Sequence, residues 1–232
     1  MSTLAAGTRP FPRVRPKYLL FGILGLMFVY VLVHDESFLV NQRDPIWSHY
    51  EPFKWWLLPH GVAGGCALLL APMQISDRLR CRFSKLHRVL GRIYVAGVFI
   101  AGPLGVCIQY FEERRAKSLS FTIAAMVDAV LLMGTTYIAL AFILKGKVEQ
   151  HRQWMTRSFA VALVFLGGRV VGGGTGWESL GNHIDETIVW ACLAFSILST
   201  DLVLQFQELR RNHTLYPITS SGKGITRQVS AS

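Results

Sequence analysis

Two blocks of this chain bring together residue types that can hold a redox cofactor. One reads His87-Arg88-Val89-Leu90-Gly91-Arg92-Ile93-Tyr94, the other His151-Arg152-Gln153-Trp154-Met155-Thr156-Arg157-Ser158-Phe159, and each stands at the mouth of a long apolar run. A b-type haem needs two imidazoles at matched depth for its iron and cations for its propionates. His87 and His151 supply the imidazoles, and Arg88, Arg92, Arg152 and Arg157 supply the cations. A carboxylate such as Asp201 can fix the tautomer of one ring from behind. The same residues have a plainer use as snorkelling anchors at the inner ends of membrane helices, with lipid phosphates as their partners.

Further polar residues interrupt the apolar runs. His60, with Gln109 and His183 at similar depth, forms a second layer toward the opposite surface, so His60 and His183 are a second candidate ligand pair. Gln74, Asp201 and Gln205 join His87 and His151 in an inner polar cluster. Asp128 lies about nine residues into its run, or ~14 Å, and Arg169 about eleven residues into the next, or ~16 Å. A lone charge at mid-bilayer costs at least ~2.5–3.5 kcal/mol, so intramembrane charges face the bundle interior and pair. Asp128 and Arg169 are therefore expected to meet. They would either fix helix register or serve as a gate or relay for protons or anions.

The elements that carry these residues must be membrane helices. Of the 232 residues 51% are hydrophobic and 16% charged, and the mean hydropathy is +0.36, a balance unsuited to a soluble domain of this length. About 20 apolar residues cross a bilayer core. Six such stretches are found, at roughly 18–34, 55–74, 89–110, 119–144, 158–174 and 186–206. Backbone groups in lipid must be satisfied within each segment, so the fold class is all-α: a polytopic membrane helix bundle of about six spans. Residues 1–17 read as a disordered cytoplasmic lead, 18–206 as the transmembrane domain and 207–232 as a polar, disordered cytoplasmic tail.

The net charge of +10 is unevenly spread. Arg and Lys gather before the first span, between the second and third, between the fourth and fifth, and after the sixth, while Asp35, Glu36, Asp44, Glu51, Glu178, Asp185 and Glu186 lie on the other side. The positive-inside rule then puts both termini in the cytoplasm, with anionic lipid headgroups as partners and no nucleic acid. The four cysteines form no CxxC pair, so neither a disulfide framework nor a zinc site is indicated. HExxH, phosphate-loop, GxSxG and dinucleotide motifs are absent, which removes the usual support for hydrolase and nucleotide-driven classes.

Glycines shape the spans. Gly97, Ala101 and Gly105 stand four apart on one face and invite close approach by another helix. Gly61, Gly64 and Gly65 leave bare backbone beside His60, which suits tight packing or a flat ligand. Gly167-Gly168 and Gly172-Gly173-Gly174 weaken the fifth span, whose outer end is expected to fray. The aromatic residues between 38 and 56 read as an interfacial belt. A weak internal repeat also shows: the third and fifth spans both start from His-Arg, and the fourth and sixth each return with one acid, Asp128 and Asp201.

His60-Gly61, Ala71-Pro72-Met73-Gln74, the two His-Arg blocks and Arg169 together resemble an uncharacterised family of predicted multi-pass membrane proteins, domain of unknown function 2306. The resemblance spans roughly 55–206 and implies a multi-pass fold and these polar positions, with no established activity. The favoured function is a haem-binding or electron-transfer membrane component. A small proton or anion transporter, and a structural or assembly factor, are the alternatives.

Overall fold

In a computed structural model, residues 16–34, 41, 43, 45–116 and 119–215 are described; the rest of the expected lead and tail lies outside them. The described elements are helical: α1 (Pro16–His34), α2 (Pro45–Tyr50), α3 (Lys54–Gln74), α4 (Asp77–Arg82), α5 (Ser84–Ala116), α6 (Leu119–Leu144), α7 (Val148–Thr175) and α8 (Asn182–Leu215). Short 3-10 turns at Glu51–Phe53 and Trp177–Leu180 precede α3 and α8. Among the described residues five helices, all but α1, α2 and α4, are long and apolar enough to cross a membrane, and α1 adds an apolar run at Leu19–His34. The protein is thus an integral membrane helix bundle, compatible with about six spans.

Each long helix packs mainly on its neighbours in sequence, α3 on α5, α5 on α6, α6 on α7 and α7 on α8, while α1 leans on α7 and α3 also touches α7. α5 and α7 have little direct backbone contact. They therefore stand diagonally across a bundle closed by α3 and α6. Small side chains make this possible: Ala63, Ala67 and Ala71 of α3 and Ala124, Ala125, Ala129 and Ala139 of α6 are buried. Lipid offers no hydrophobic gain for pushing helices together, so close backbone approach through small residues supplies the association. The Gly97–Ala101–Gly105 face meets α3, and a Cβ at Gly97 would stand 2.7 Å from the Ala63 carbonyl oxygen.

The α6–α7 turn sets the register of the second His-Arg block. Gly146 adopts φ +70°, Lys147 N–H donates to the Phe142 carbonyl at 2.9 Å and Gly146 N–H to Ile143 at 3.0 Å. This is a left-handed glycine cap that satisfies the last carbonyls of α6. It reverses the chain tightly enough that His151, in the first turn of α7, returns beside Ala139 of α6.

Two expectations change. The glycine-rich end of α7 does not fray: the helix runs unbroken to Thr175 and ends on Gly176 at φ +70°. Gly173 is used for contact, since a Cβ there would stand 2.8 Å from the Tyr30 hydroxyl of α1. α8 also runs on to Leu215, well past 206, because its last turns carry helix-favouring Gln, Glu, Leu and Arg.

Candidate functional site

Three polar groups of the basic end converge. Burial is strongest beneath them, where Tyr94 and Val98 of α5 pack with Phe159 of α7 and Ala67 and Ala71 of α3. His151 Nδ1 donates to the Ala139 carbonyl at 2.8 Å. A carbonyl can only accept, so Nδ1 carries the proton and Nε2 of the neutral ring keeps its lone pair. His87 lies close enough to His151 for the two rings to interact electrostatically. Its Nδ1 is buried without a hydrogen-bond partner, as is Nε2 of Gln74. Gln74 leans on α5 where Gly91 leaves room: a Cβ at Gly91 would stand 3.3 Å from Gln74 Oε1. Gly91 is one turn beyond His87, so α3, α5 and α7 each send a polar side chain to this layer.

The arginines divide. Arg88, Arg92 and Arg152 are exposed; Arg88 Nε donates back to the Ser84 carbonyl at 3.3 Å, and Arg152 sits 3.6 Å from Glu149. Arg157 is committed elsewhere. Its Nε donates to Asp201 Oδ1 of α8 at 2.8 Å, and its guanidinium lies over the Trp154 ring, 4.9 Å from the centroid. Asp201 thus faces Arg157 rather than an imidazole. Both partners keep substantial exposure, 30% and 44% of their side chains. Asp201→Asn is accordingly expected to cost under about 1 kcal/mol, checked by reversible unfolding in mixed micelles; a loss several times larger would show that the pair holds α7 to α8.

Seven residues beyond each histidine stands a hydroxyl that sequence reading passed over. Tyr94 Oη lies 2.7 Å from Ser158 Oγ, and Ser158 Oγ lies 2.6 Å from Thr136 Oγ1. Thr136 in turn donates to the Leu132 carbonyl at 2.7 Å. All three side chains are fully buried, each at 0% exposure. Because the chain ends on a carbonyl, every proton is assigned: Tyr94 donates to Ser158, Ser158 to Thr136, and Thr136 to Leu132. The signal lay in the two blocks themselves, whose His-to-hydroxyl spacing is the same, His87 to Tyr94 and His151 to Ser158. Equivalent positions of the two copies thus meet across the bundle.

Toward the opposite end the expected pairing of Asp128 with Arg169 is not formed. Asp128 is 2% exposed, and its Oδ1 has no hydrogen-bond partner. Arg169 is exposed and interacts electrostatically with His60 and Asp185. It lies six residues before the end of α7, about 9 Å along the axis, so its long side chain serves that face of the bundle rather than the midplane. His60 donates from Nδ1 to the Ala101 carbonyl at 2.9 Å. His183 does not join it: its side chain is 100% exposed and stands 4.0 Å from Glu186. Among the described residues no group of three or more His, Cys, Asp or Glu is placed to hold a metal ion.

The family described as "Predicted membrane protein (DUF2306)" matches residues 57–203. No curated protein and no solved structure matches the chain significantly. The matched segment contains His60, His87, His151, Asp128, Arg169 and the hydroxyl chain, and the chain belongs to this family of predicted membrane proteins.

Proposed function

We propose that this family member is a membrane electron-transfer component that binds a b-type haem between His87 and His151. One observation carries the reading: the two histidines stand in the same register on diagonal helices, each seven residues before a hydroxyl, and those hydroxyls are hydrogen-bonded at 2.7 Å. Directly packed helices run about 8–10 Å apart, too close for an iron with an imidazole on either side. A diagonal pair provides the wider span. The ring chemistry agrees, because a ligating histidine has its second nitrogen held by a carbonyl or carboxylate, and His151 Nδ1 is held in this way by Ala139. His87 brings a buried, unpartnered nitrogen to the same layer. Arg88, Arg92 and Arg152 are the cations for the propionates, since Arg157 is occupied by Asp201.

Bound there, haem would supply one-electron redox chemistry, its potential tuned by axial ligands and burial. The protein's part is to hold two imidazoles at one depth and to exclude water with the Tyr94 layer beneath. Because Arg and Lys gather at this end, the positive-inside rule puts the site and both termini at the cytoplasmic face, among anionic headgroups.

Visible spectroscopy of protein purified in detergent from haem-replete cells tests the reading. A Soret band with a low-spin, bis-imidazole signature is expected. His87→Ala and His151→Ala should each abolish that signature, and His183→Ala, at a fully exposed position, should leave it intact. Folded protein without a Soret band overturns the proposal, as does a full spectrum in the double His87→Ala, His151→Ala variant.

A further inference from the structure

A cavity of about 380 Å³ opens between α1, α3, α5, α6 and α7, lined by His60, Asp128, Gly61, Gly64, Gly102 and Gly105 among others. Its size is in the range of small-molecule sites, about 300–1,000 Å³, and its composition matches theirs, mostly apolar with a few polar groups. Its glycines differ in use. Gly105 is a cradle, because a Cβ there would stand 2.9 Å from His60 Cε1. Gly61 is open, with nothing within 4 Å of the position a Cβ would take. Gly61 therefore leaves bare backbone beside His60, which suits a flat ring, in a wall otherwise made mostly of Leu, Val, Phe and Ala side chains.

Two polar atoms set what that ring must carry. Asp128 lines the cavity and is 2% exposed, and its Oδ1 is buried with no hydrogen-bond partner. A buried polar atom left unmade costs about 1–3 kcal/mol, so a ligand that satisfies it gains that much over one that does not. His60 has already committed Nδ1–H to Ala101, which leaves Nε2 of the neutral ring as an acceptor. His60 Nε2 thus calls for a donor, whereas the Asp128 carboxyl accepts through Oδ1 and, when protonated, also donates. A carbonyl compound can accept from Asp128 but offers nothing to His60.

A second cavity of about 380 Å³ adjoins the first and shares Phe28, Leu68 and Leu166 with it. It follows the seam between α1 and α3 down to Ser76 and Leu79, and its lining is almost wholly apolar. α1 packs on α7 rather than on α3, so this seam faces lipid. A ligand with its head at Asp128 could lay an apolar tail along it.

From this geometry we infer that the His60–Asp128 cavity binds a lipid-soluble hydroquinone, a flat ring with hydroxyl donors and an apolar tail, in preference to its oxidised quinone. The hydroxyls donate to Asp128 Oδ1 and His60 Nε2. The binding stands independently of haem at the other end of the bundle.

The probe is a tritiated decyl-substituted benzohydroquinone, kept reduced and titrated into the full-length protein in phosphatidylcholine nanodiscs, with empty nanodiscs subtracted. Saturable binding near one per chain is expected. The corresponding quinone and the di-O-methyl ether should compete at least tenfold more weakly. Asp128→Leu should weaken binding at least tenfold while keeping the fold, since it removes a polar group that has no partner in the protein. Gly61→Leu should block the cavity from its open wall without touching either acceptor. No saturable binding over empty discs, equal competition by the ether, or unchanged affinity in both variants would overturn the inference. Because the readout is ligand occupancy rather than a spectrum, its failure is distinct from a missing Soret band.

Discussion

Gly97→Ala is expected to destabilise the protein by about 1–3 kcal/mol or more, although the change adds one methyl group in the middle of a helix. On propensity alone the substitution should help, since Ala is favoured over Gly by about 1 kcal/mol in a helix interior. The added Cβ, however, would stand 2.7 Å from the Ala63 carbonyl oxygen and 3.4 Å from the Ala67 Cβ. The nearest atom is backbone, so no side-chain rotation relieves the clash. α3 and α5 must move apart instead, and their interface is the most extensive in the bundle. Gly134→Ala is the control. Nothing lies within 4 Å of a Cβ at Gly134, so that variant should be unchanged or up to about 1 kcal/mol more stable. Reversible unfolding of both variants in mixed micelles makes the comparison; a Gly97→Ala protein as stable as Gly134→Ala would mean that α3 and α5 do not approach as described.

How much of this is legible in the sequence depends on whether the signal is local. The four-residue spacing of Gly97, Ala101 and Gly105 announces a close helix contact from sequence, because small residues in lipid have little other use. It does not say that α3 is the partner, or that Gly105 is spent on the His60 ring. The depths of His87 and His151 could be matched because both blocks begin their helices with the same register. Counting from the start of the apolar run at 158 puts Arg169 at mid-bilayer, whereas α7 starts at Val148 and extends only to Thr175. Apolar boundaries and helix boundaries differ there by ten residues of polar helix. That offset underlies the expectation of an Asp128–Arg169 pair. Propensity alone makes the glycines near 173 helix breakers, a weak prior that tertiary contact overrides; here the contact is Tyr30 of α1. Tyr94 and Ser158 closed both blocks in plain sight. Their meeting depends on the diagonal placement of α5 and α7, a fact of the assembled bundle that no local pattern contains.

Ser158→Ala should cost more than Tyr94→Phe, even though each removes one hydroxyl from the same buried chain. The direction of the protons decides this. In Tyr94→Phe the Ser158 hydroxyl still donates to Thr136 and loses only an incoming bond, so the loss should be near the membrane average of about 0.6 kcal/mol and no more than about 1.7. In Ser158→Ala the Tyr94 O–H keeps its proton at 0% exposure and has no acceptor, which adds a desolvation cost of about 1–3 kcal/mol. Thr136 is less affected, because its own donation to Leu132 persists. The double variant Tyr94→Phe, Ser158→Ala should then be more stable than Ser158→Ala alone, since it removes the stranded donor. This cycle also bears on the layer above. Tyr94 and Ser158 hold α5 to α7 one heptad from His87 and His151, so the stranded-donor variant should loosen the span between the two imidazoles more than the double variant does. Equal losses in the two single variants, or a double variant less stable than Ser158→Ala, would reverse the assigned proton order.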